Sequence, residues 1–259
     1  MQRQTDWVRR AGVAALAAAC FAVAATGQSA TEQRKPVLVE LFTSEGCSDC
    51  PPADRLLQEL DEKQPFAGVE AIVLSEHVTY WNHDGWTDPF SLDEMTERQQ
   101  EYVNQFRLNS SYTPEMVVDG TTQFVGNDVR AVTAALEKAA TQPKEDVTIA
   151  NAQWGDGGAT FAVHASADHN ARLVAVLAAN ATQRSVSAGE NKGKTLEHVA
   201  VVRVMKTFGA ESLDGRPLRL GGGPLTHKEE AQGPVRLVVF VVDHKTGRVV
   251  GAAEKTLGR

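Results

Sequence analysis

Cys47 and Cys50 stand three positions apart where an apolar run gives way to a polar turn and then to helical spacing. On the first turn of a helix, cysteines at that spacing bring their sulfurs within bonding reach, and the chemistry this opens is thiol–disulfide exchange. Cys47 falls at the expected open N-terminus, where unpaired backbone N–H groups and the positive end of the helix dipole favour a thiolate. Cys47 is therefore the expected nucleophile and Cys50 its resolving partner. Glu45 and Asp49 bring negative charge close to the pair and oppose the fall in thiol pKa, so the motif alone sets no redox potential. Other uses of the pair stay open. It can be an inert structural disulfide, although so short a bridge gains little by loop closure. It can be half of a zinc or copper site with His77 and His83, for which no second Cys-x-x-Cys or His-x-x-x-His offers support. It can also be a peroxidase pair, with Cys50 reducing an oxidised Cys47.

The elements that must position these residues can be read from the pattern. Val37–Phe42 is a strand, and Ala53, Leu56, Leu57 and Leu60 mark the buried face of a helix. Pro51 and Pro52 suit the first positions of a helix but disfavour helical geometry in the residue before each, so the regular helix begins at the prolines. Val69–Leu74 is a second strand, ending in Ser75-Glu76-His77. The loop that follows carries Tyr80, Trp81, Trp86 and Phe90, broken by Gly85 and Pro89. It leaves the second strand at the edge where the first strand ends, so Trp81 and Trp86 are candidates to line a substrate groove beside the thiols; core packing is the other reading.

Ser91 and Glu94 form a capping-box pattern before a helix reaching about Arg107. Glu115–Val118 and Thr122–Val125 read as a hairpin through Asp119-Gly120, and Asn127 or Asp128 caps a last helix. A polar, proline-containing stretch at Thr141–Asp146 marks the expected domain boundary. Beyond it, Val147–Ala150, Thr160–Ala165, Ala171–Ala178, His198–Phe208, Pro217–Leu220, Val235–Val242 and Val249–Lys255 read as strands of an all-β sandwich. Ser187–Glu197, rich in Gly, Lys and Glu, reads as a loop with a structural role only.

The order β-α-β-α-β-β-α, with Cys-x-x-Cys after the first strand and Tyr112-Thr113-Pro114 before the hairpin, resembles the thioredoxin superfamily over about residues 36–140. The resemblance implies that Glu40, in Val39-Glu40-Leu41, is a buried carboxylate exchanging a proton with Cys50. It also implies a cis peptide bond before Pro114, facing the thiols, with the Thr113 backbone free to pair with a substrate peptide. Thioredoxin's own Trp-Cys-Gly-Pro-Cys is absent, with Gly46 where its tryptophan stands. A closer resemblance is to an uncharacterised family of exported bacterial proteins with a thioredoxin-like first domain. It rests on L-F-T-S-E-G-C-S-D-C-P-P-A-D, H-V-T-Y-W-N-H-D-G-W-T-D-P-F, Y-T-P-E-M-V-V-D-G and G-E-N-K-G-K-T-L-E-H.

The expected organisation is a signal peptide over residues 1–27, a thioredoxin-like α/β domain over 28–143 and a mostly β, sandwich-like domain over 144–259. Arg9 and Arg10 before the apolar run Ala11–Ala25, with small residues at Ala25-Thr26-Gly27, are the export signal. The expected location is periplasmic or secreted, with membrane attachment only through an uncleaved signal segment. Removing residues 1–27 takes away Arg3, Arg9, Arg10 and Asp6 and moves the formal charge from −7 to −9. So acidic a product is a poor nucleic-acid binder. It keeps only Cys47 and Cys50, in a compartment where disulfides persist. The expected function is an exported thiol-disulfide oxidoreductase acting on protein or small-molecule thiols and disulfides, with no cofactor and no assigned metal. The alternative is a periplasmic binding or adaptor protein whose cysteine pair is structural or holds a metal.

Overall fold

Val37, Leu38, Val39 and Leu41 are buried along β1 (Lys35–Thr43), on both of its faces, as befits a central strand covered on each side. The computed structural model describes residues 34–166, 170–226 and 233–258; the segment that carries the export expectation lies outside the described residues. β1 pairs in parallel with β2 (Val69–His77) and antiparallel with β3 (Glu115–Val118), so that Val39 faces Val73 on one side and Val118 on the other. α1 (Pro51–Lys63) joins β1 to β2, and α2 (Asp93–Phe106) joins β2 to β3. The β3–β4 hairpin (β4, Thr122–Val125) follows, and then α3 (Val129–Thr141).

The helix starts differ in how they are capped. α1 begins at the prolines, as their geometry requires. Asp128 caps α3 by accepting from the N–H groups of Arg130 and Ala131. The capping box expected for α2 does not form: Leu92 is the N-cap, and the Ser91 hydroxyl donates instead to the Asp88 carbonyl.

The second half supplies β5 (Val147–Gly155), β6 (Gly158–Ala165), β7 (Ala171–Ser185), β8 (Thr195–Gly209), β9 (Leu218–Gly221), β10 (Val235–Asp243) and β11 (Val249–Leu257). These strands do not stand apart from the first half. β8 lies in parallel beside β2, with Ser75 opposite Val201, so one mixed sheet runs β11-β10-β7-β8-β2-β1-β3-β4. The described residues form one compact unit, across the boundary expected near residue 143. The physical reason lies in β7, whose alternate residues serve different cores. Val174, Val176 and Ala178 join the cluster that contains Leu38, Leu57 and Leu136. Leu173, Ala175 and Leu177 pack with Phe161 and Val163 of a second, three-stranded sheet, β5-β6-β9.

The polar stretch at 141–146 is fastened to β11 and to the β3–β4 turn: the Glu145 N–H donates to the Val250 carbonyl at 2.7 Å, and Lys144 pairs with Asp119 at 2.7 Å. The architecture is thus mixed α/β, with a large mixed sheet and few helices. No helix among the described residues is long and apolar enough to cross a membrane.

Candidate functional site

β1 hands over to α1 through two tight turns, in which the Cys47 N–H donates to the Ser44 carbonyl and the Cys50 N–H to the Cys47 carbonyl. Cys47 and Cys50 are joined as a disulfide. Both are enclosed, Cys47 at 1% and Cys50 at 0% exposure, while Ser48 and Asp49 between them are exposed. The expectation of an open, helix-stabilised Cys47 is corrected here on two counts. Cys50, not Cys47, is the N-cap residue. Pro51 and Pro52 have no N–H to offer, and the N–H groups of Ala53 and Asp54 both donate to the Cys50 carbonyl, at 2.8 and 3.1 Å. The amide donors that would hold a Cys47 thiolate at a helix N-terminus are therefore missing or used.

Four of the expected residues gather at this joint. The Trp81 indole N–H donates to the Thr113 hydroxyl at 2.6 Å. Trp81 also lies on the Cys loop, for a Cβ at Gly46 would stand 2.7 Å from its carbonyl oxygen. The Thr113–Pro114 bond is cis. Pro114 reaches the start of α1 by way of Gly126, where an added Cβ would lie 3.2 Å from both Ala53 Cβ and Pro114 Cβ. The Trp86 indole N–H donates to Glu45 Oε2 at 3.2 Å, which ties the aromatic loop to the residue just before Gly46.

Glu40 does not belong to this group. Alternate side chains of a strand point to opposite faces. On β1, Thr43 faces α1 and donates to Asp54 Oδ1 at 2.8 Å, whereas Phe42 packs edge-on against Tyr102 of α2. Glu40 shares the Phe42 side. Its carboxylate is taken by the Arg98 guanidinium at 2.5 Å and accepts from the Tyr102 hydroxyl at 2.5 Å. Glu76 lies beside it, its carboxyl pushed well up by burial and then by the charge of Glu40. Glu40 is thus an anchor for α2 across the sheet from Cys50, and its expected proton exchange with Cys50 is corrected.

On the α1 side the sheet holds a buried polar cluster that local sequence does not announce. His77 Nδ1 is 2.7 Å from Asp88 Oδ2, and Asp88 also accepts from the N–H groups of Glu45 and Phe90. Burial alone would raise the Asp88 carboxyl; the His77 ring and those two amides overcome it and hold Asp88 below the usual carboxylate range. The His198 ring stands edge-on to His77, centroids 4.6 Å apart, between Glu45 and Asp54. Burial opposes charge on His198, but Asp54 and Glu45 more than reverse it and bring its pKa up to about 10.

Several atoms of this cluster lack a hydrogen-bond partner among the described residues: Glu45 Oε1, Asp54 Oδ2, His77 Nε2 and both ring nitrogens of His198. A cavity of about 150 Å³ at the seam of α1 and β8 has Pro51, Asp54 and Glu197 on its wall. The arrangement can hold or pass a proton beside the disulfide joint. The metal site considered for His77 and His83 does not assemble. His77 is sealed against Asp88, while His83 is half-exposed, paired with Asp84 and stacked on Trp81. Among the described residues no group of three or more His, Cys, Asp or Glu side chains is placed to hold a metal ion.

His198 and the cysteine loop both fall within one matched region. Residues 38–242 match the family described as Protein of unknown function (DUF1223), and the chain belongs to that family. No curated protein matches the chain. Among solved structures, the X-ray structure of a protein from Agrobacterium tumefaciens is similar, with a TM-score of 0.63 and 25% identity. The similarity covers 88% of this chain and 96% of that one.

Proposed function

We propose that Cys47 and Cys50 form a thiol–disulfide exchange centre in a thioredoxin-like half of the chain, and that the protein is an exported oxidoreductase acting on protein or small-molecule thiols and disulfides. The observation that carries this reading is the place of the disulfide: at the joint of β1 and α1, with Trp81, Thr113 and Pro114 packed around that joint. A bridge across so few residues constrains little chain that β1 and α1 do not already hold. Glu45, Asp54 and His198 are buried with several polar atoms that have no hydrogen-bond partner among the described residues, an arrangement costly to desolvate. Beside a bond whose cleavage yields a thiolate, the His198 ring, held protonated by these carboxylates, has a use as a group that gives up and takes back a proton. Export to the periplasm or beyond rests on Arg9, Arg10 and the apolar run after them.

In the reducing direction the Cys47 thiolate attacks one sulfur of a substrate disulfide, and the other substrate sulfur leaves as a thiolate and takes a proton. The Cys50 thiolate then attacks Cys47 Sγ, the mixed disulfide breaks, and the second substrate sulfur leaves in turn. The substrate gains two electrons and the cysteine pair loses them, ending as the Cys47–Cys50 disulfide. The oxidising direction runs the same steps backwards from a substrate dithiol. Equilibration of the full chain in glutathione buffers of graded potential, with the thiols counted, tests the proposal. The expected result is a reversible two-electron transition. Exchange no faster than that of a free dithiol peptide would count against it.

The enclosure of both sulfurs favours a second reading, a binding or adaptor scaffold in which the bridge is only a staple or, when reduced, a zinc or copper(I) ligand pair. Under that reading Cys47→Ser lowers stability or metal affinity and abolishes no exchange. Zinc and copper(I) titration of the reduced protein, followed by a thiol count, separates the two.

A further inference from the structure

The connection between β7 and β8 turns back on itself before it crosses to the cysteine loop. The Val186 N–H donates to the Lys194 carbonyl at 2.9 Å and the Gly193 N–H to the Val186 carbonyl at 2.8 Å, closing a small hairpin tip. Most of the tip is exposed or half-exposed, Ser187, Glu190, Lys192 and Lys194 included. One polar side chain is the exception. Asn191 is fully buried, and its carboxamide donates to the carbonyls of Glu45 at 2.9 Å and of Cys47 at 2.8 Å. Lys194 Nζ donates to the Asn191 oxygen at 2.8 Å and holds the amide in that orientation. Beside it, Glu190 Oε2 accepts from the Ser48 N–H at 3.0 Å. Gly189 reaches the aromatic loop, where an added Cβ would lie 3.2 Å from Trp86 Cβ. The tip therefore spans from the cysteine turn to Trp86.

We infer that residues 187–194 are a latch closed over the Cys47–Cys50 disulfide, with Asn191 as its catch, and that the latch must lift before a sulfur can be attacked. This deepens the oxidoreductase reading and rests on it for its purpose, though the cover itself does not. Two features point to a segment made to open. The bonds that join it to the cysteine loop are hydrogen bonds, donated by Asn191 and accepted by Glu190, and its tip brings no large apolar side chain to hold it down. Segments with exposed backbone and few apolar contacts open locally at far less cost than global unfolding. Yet the bonds end on the carbonyl of Cys47 itself and on the N–H of Ser48 next to it, so opening cannot leave the cysteine turn unchanged.

The test uses the oxidised full chain and tris(2-carboxyethyl)phosphine, which needs access to one sulfur and no partner protein. Phosphorus attacks that sulfur, the S–S bond breaks, water gives its oxygen to phosphorus, and both cysteines emerge as thiols that can be counted against time. The wild type should be reduced more slowly than a Cys-Ser-Asp-Cys peptide disulfide. Asn191→Ala, and the near-isosteric Asn191→Asp, should raise the rate about ten- to a hundredfold through the loss of hydrogen bonds to buried carbonyls. Glu190→Gln should raise it about two- to threefold. Reduction of the wild type at the peptide's rate, or of folded Asn191 variants at the wild-type rate, overturns the latch. If neither Asn191 variant folds, an unchanged rate in Glu190→Gln overturns it. A faster phosphine reaction with no exchange against glutathione leaves the latch standing and removes the oxidoreductase reading, so the two failures are distinct.

Discussion

His198 draws its charge from two carboxylates that neither touch it closely nor leave it free: Glu45 Oε1 is 3.6 Å from Nε2 and Asp54 Oδ1 is 3.7 Å from Nδ1. The native ring binds its proton more tightly than the ring of an unfolded chain, with a pKa raised from 6.5 to about 10. The native state then holds more protons than the unfolded state between those values, so this part of the stability is complete below 6.5 and lost as pH rises through about 10. His198→Gln should remove that decline and cost about 3–5 kcal/mol in mildly acidic buffer, because it leaves two buried carboxylates without a cation. Urea unfolding on either side of the window reads both effects. Glu40→Gln should destabilise by less, about 1–3 kcal/mol, since Arg98 loses its nearest carboxylate and keeps Glu76, at 3.6 Å, but should leave the thiol pKa values of the reduced protein unchanged. A shifted thiol titration would restore Glu40 to the cysteine site. The cysteine pair is legible from spacing alone. The side of β1 taken by Glu40 is not, because strand alternation says which residues share a face and not which helix covers it. His198 and Asn191 meet the cysteine loop from more than a hundred residues away, and no local pattern carries that information.

At the scale of elements the sequence is far more explicit. The strands, the three helices and the β3–β4 hairpin follow from apolar periodicity and turn residues, most ends lying within about three positions, while β5 runs five residues and β7 seven residues beyond the apolar stretch that marks each. The Ser91–Glu94 box fails because the Ser91 hydroxyl has a competing carbonyl at Asp88, a residue that its contacts with His77 and Glu45 fix in place. The loop expected at 187–197 is a loop only as far as Lys194, since Thr195–Glu197 open β8, and its grip on the cysteine turn is not legible, because Gly, Lys and Glu composition describes solvation rather than a buried amide. β1, α1 and the Pro114 loop meet at Gly126, where a Cβ would stand 2.8 Å from Leu41 Cδ1. Gly126→Ala should therefore cost about 1–3 kcal/mol by overpacking that junction. A lowered melting temperature, with the Cys47–Cys50 bridge still formed, is the expected outcome; an unchanged melting curve would mean that the three elements yield independently.

For the molecule as a whole, the strand patterns after residue 146 suggest a sandwich, and a second sheet does pack over one face of β7 and β10. What local patterns do not show is that β8 continues the sheet of the first half beside β2, because parallel pairing between strands so distant leaves no turn to read. Heat or urea should accordingly unfold residues 34–258 in a single transition, with far-UV dichroism and tryptophan fluorescence coincident; two separated transitions would restore the boundary near residue 143. The same continuity brings β8, which carries His198 and follows the latch, beside the strands that lead to the cysteine turn. The most direct test of the exchange centre is trapping with Cys50→Ala. Incubated with a substrate disulfide and analysed by intact mass, this variant should accumulate a mixed disulfide on Cys47, faster when combined with Asn191→Ala. A folded double variant whose Cys47 thiol forms no adduct would contradict the centre itself, not merely its cover.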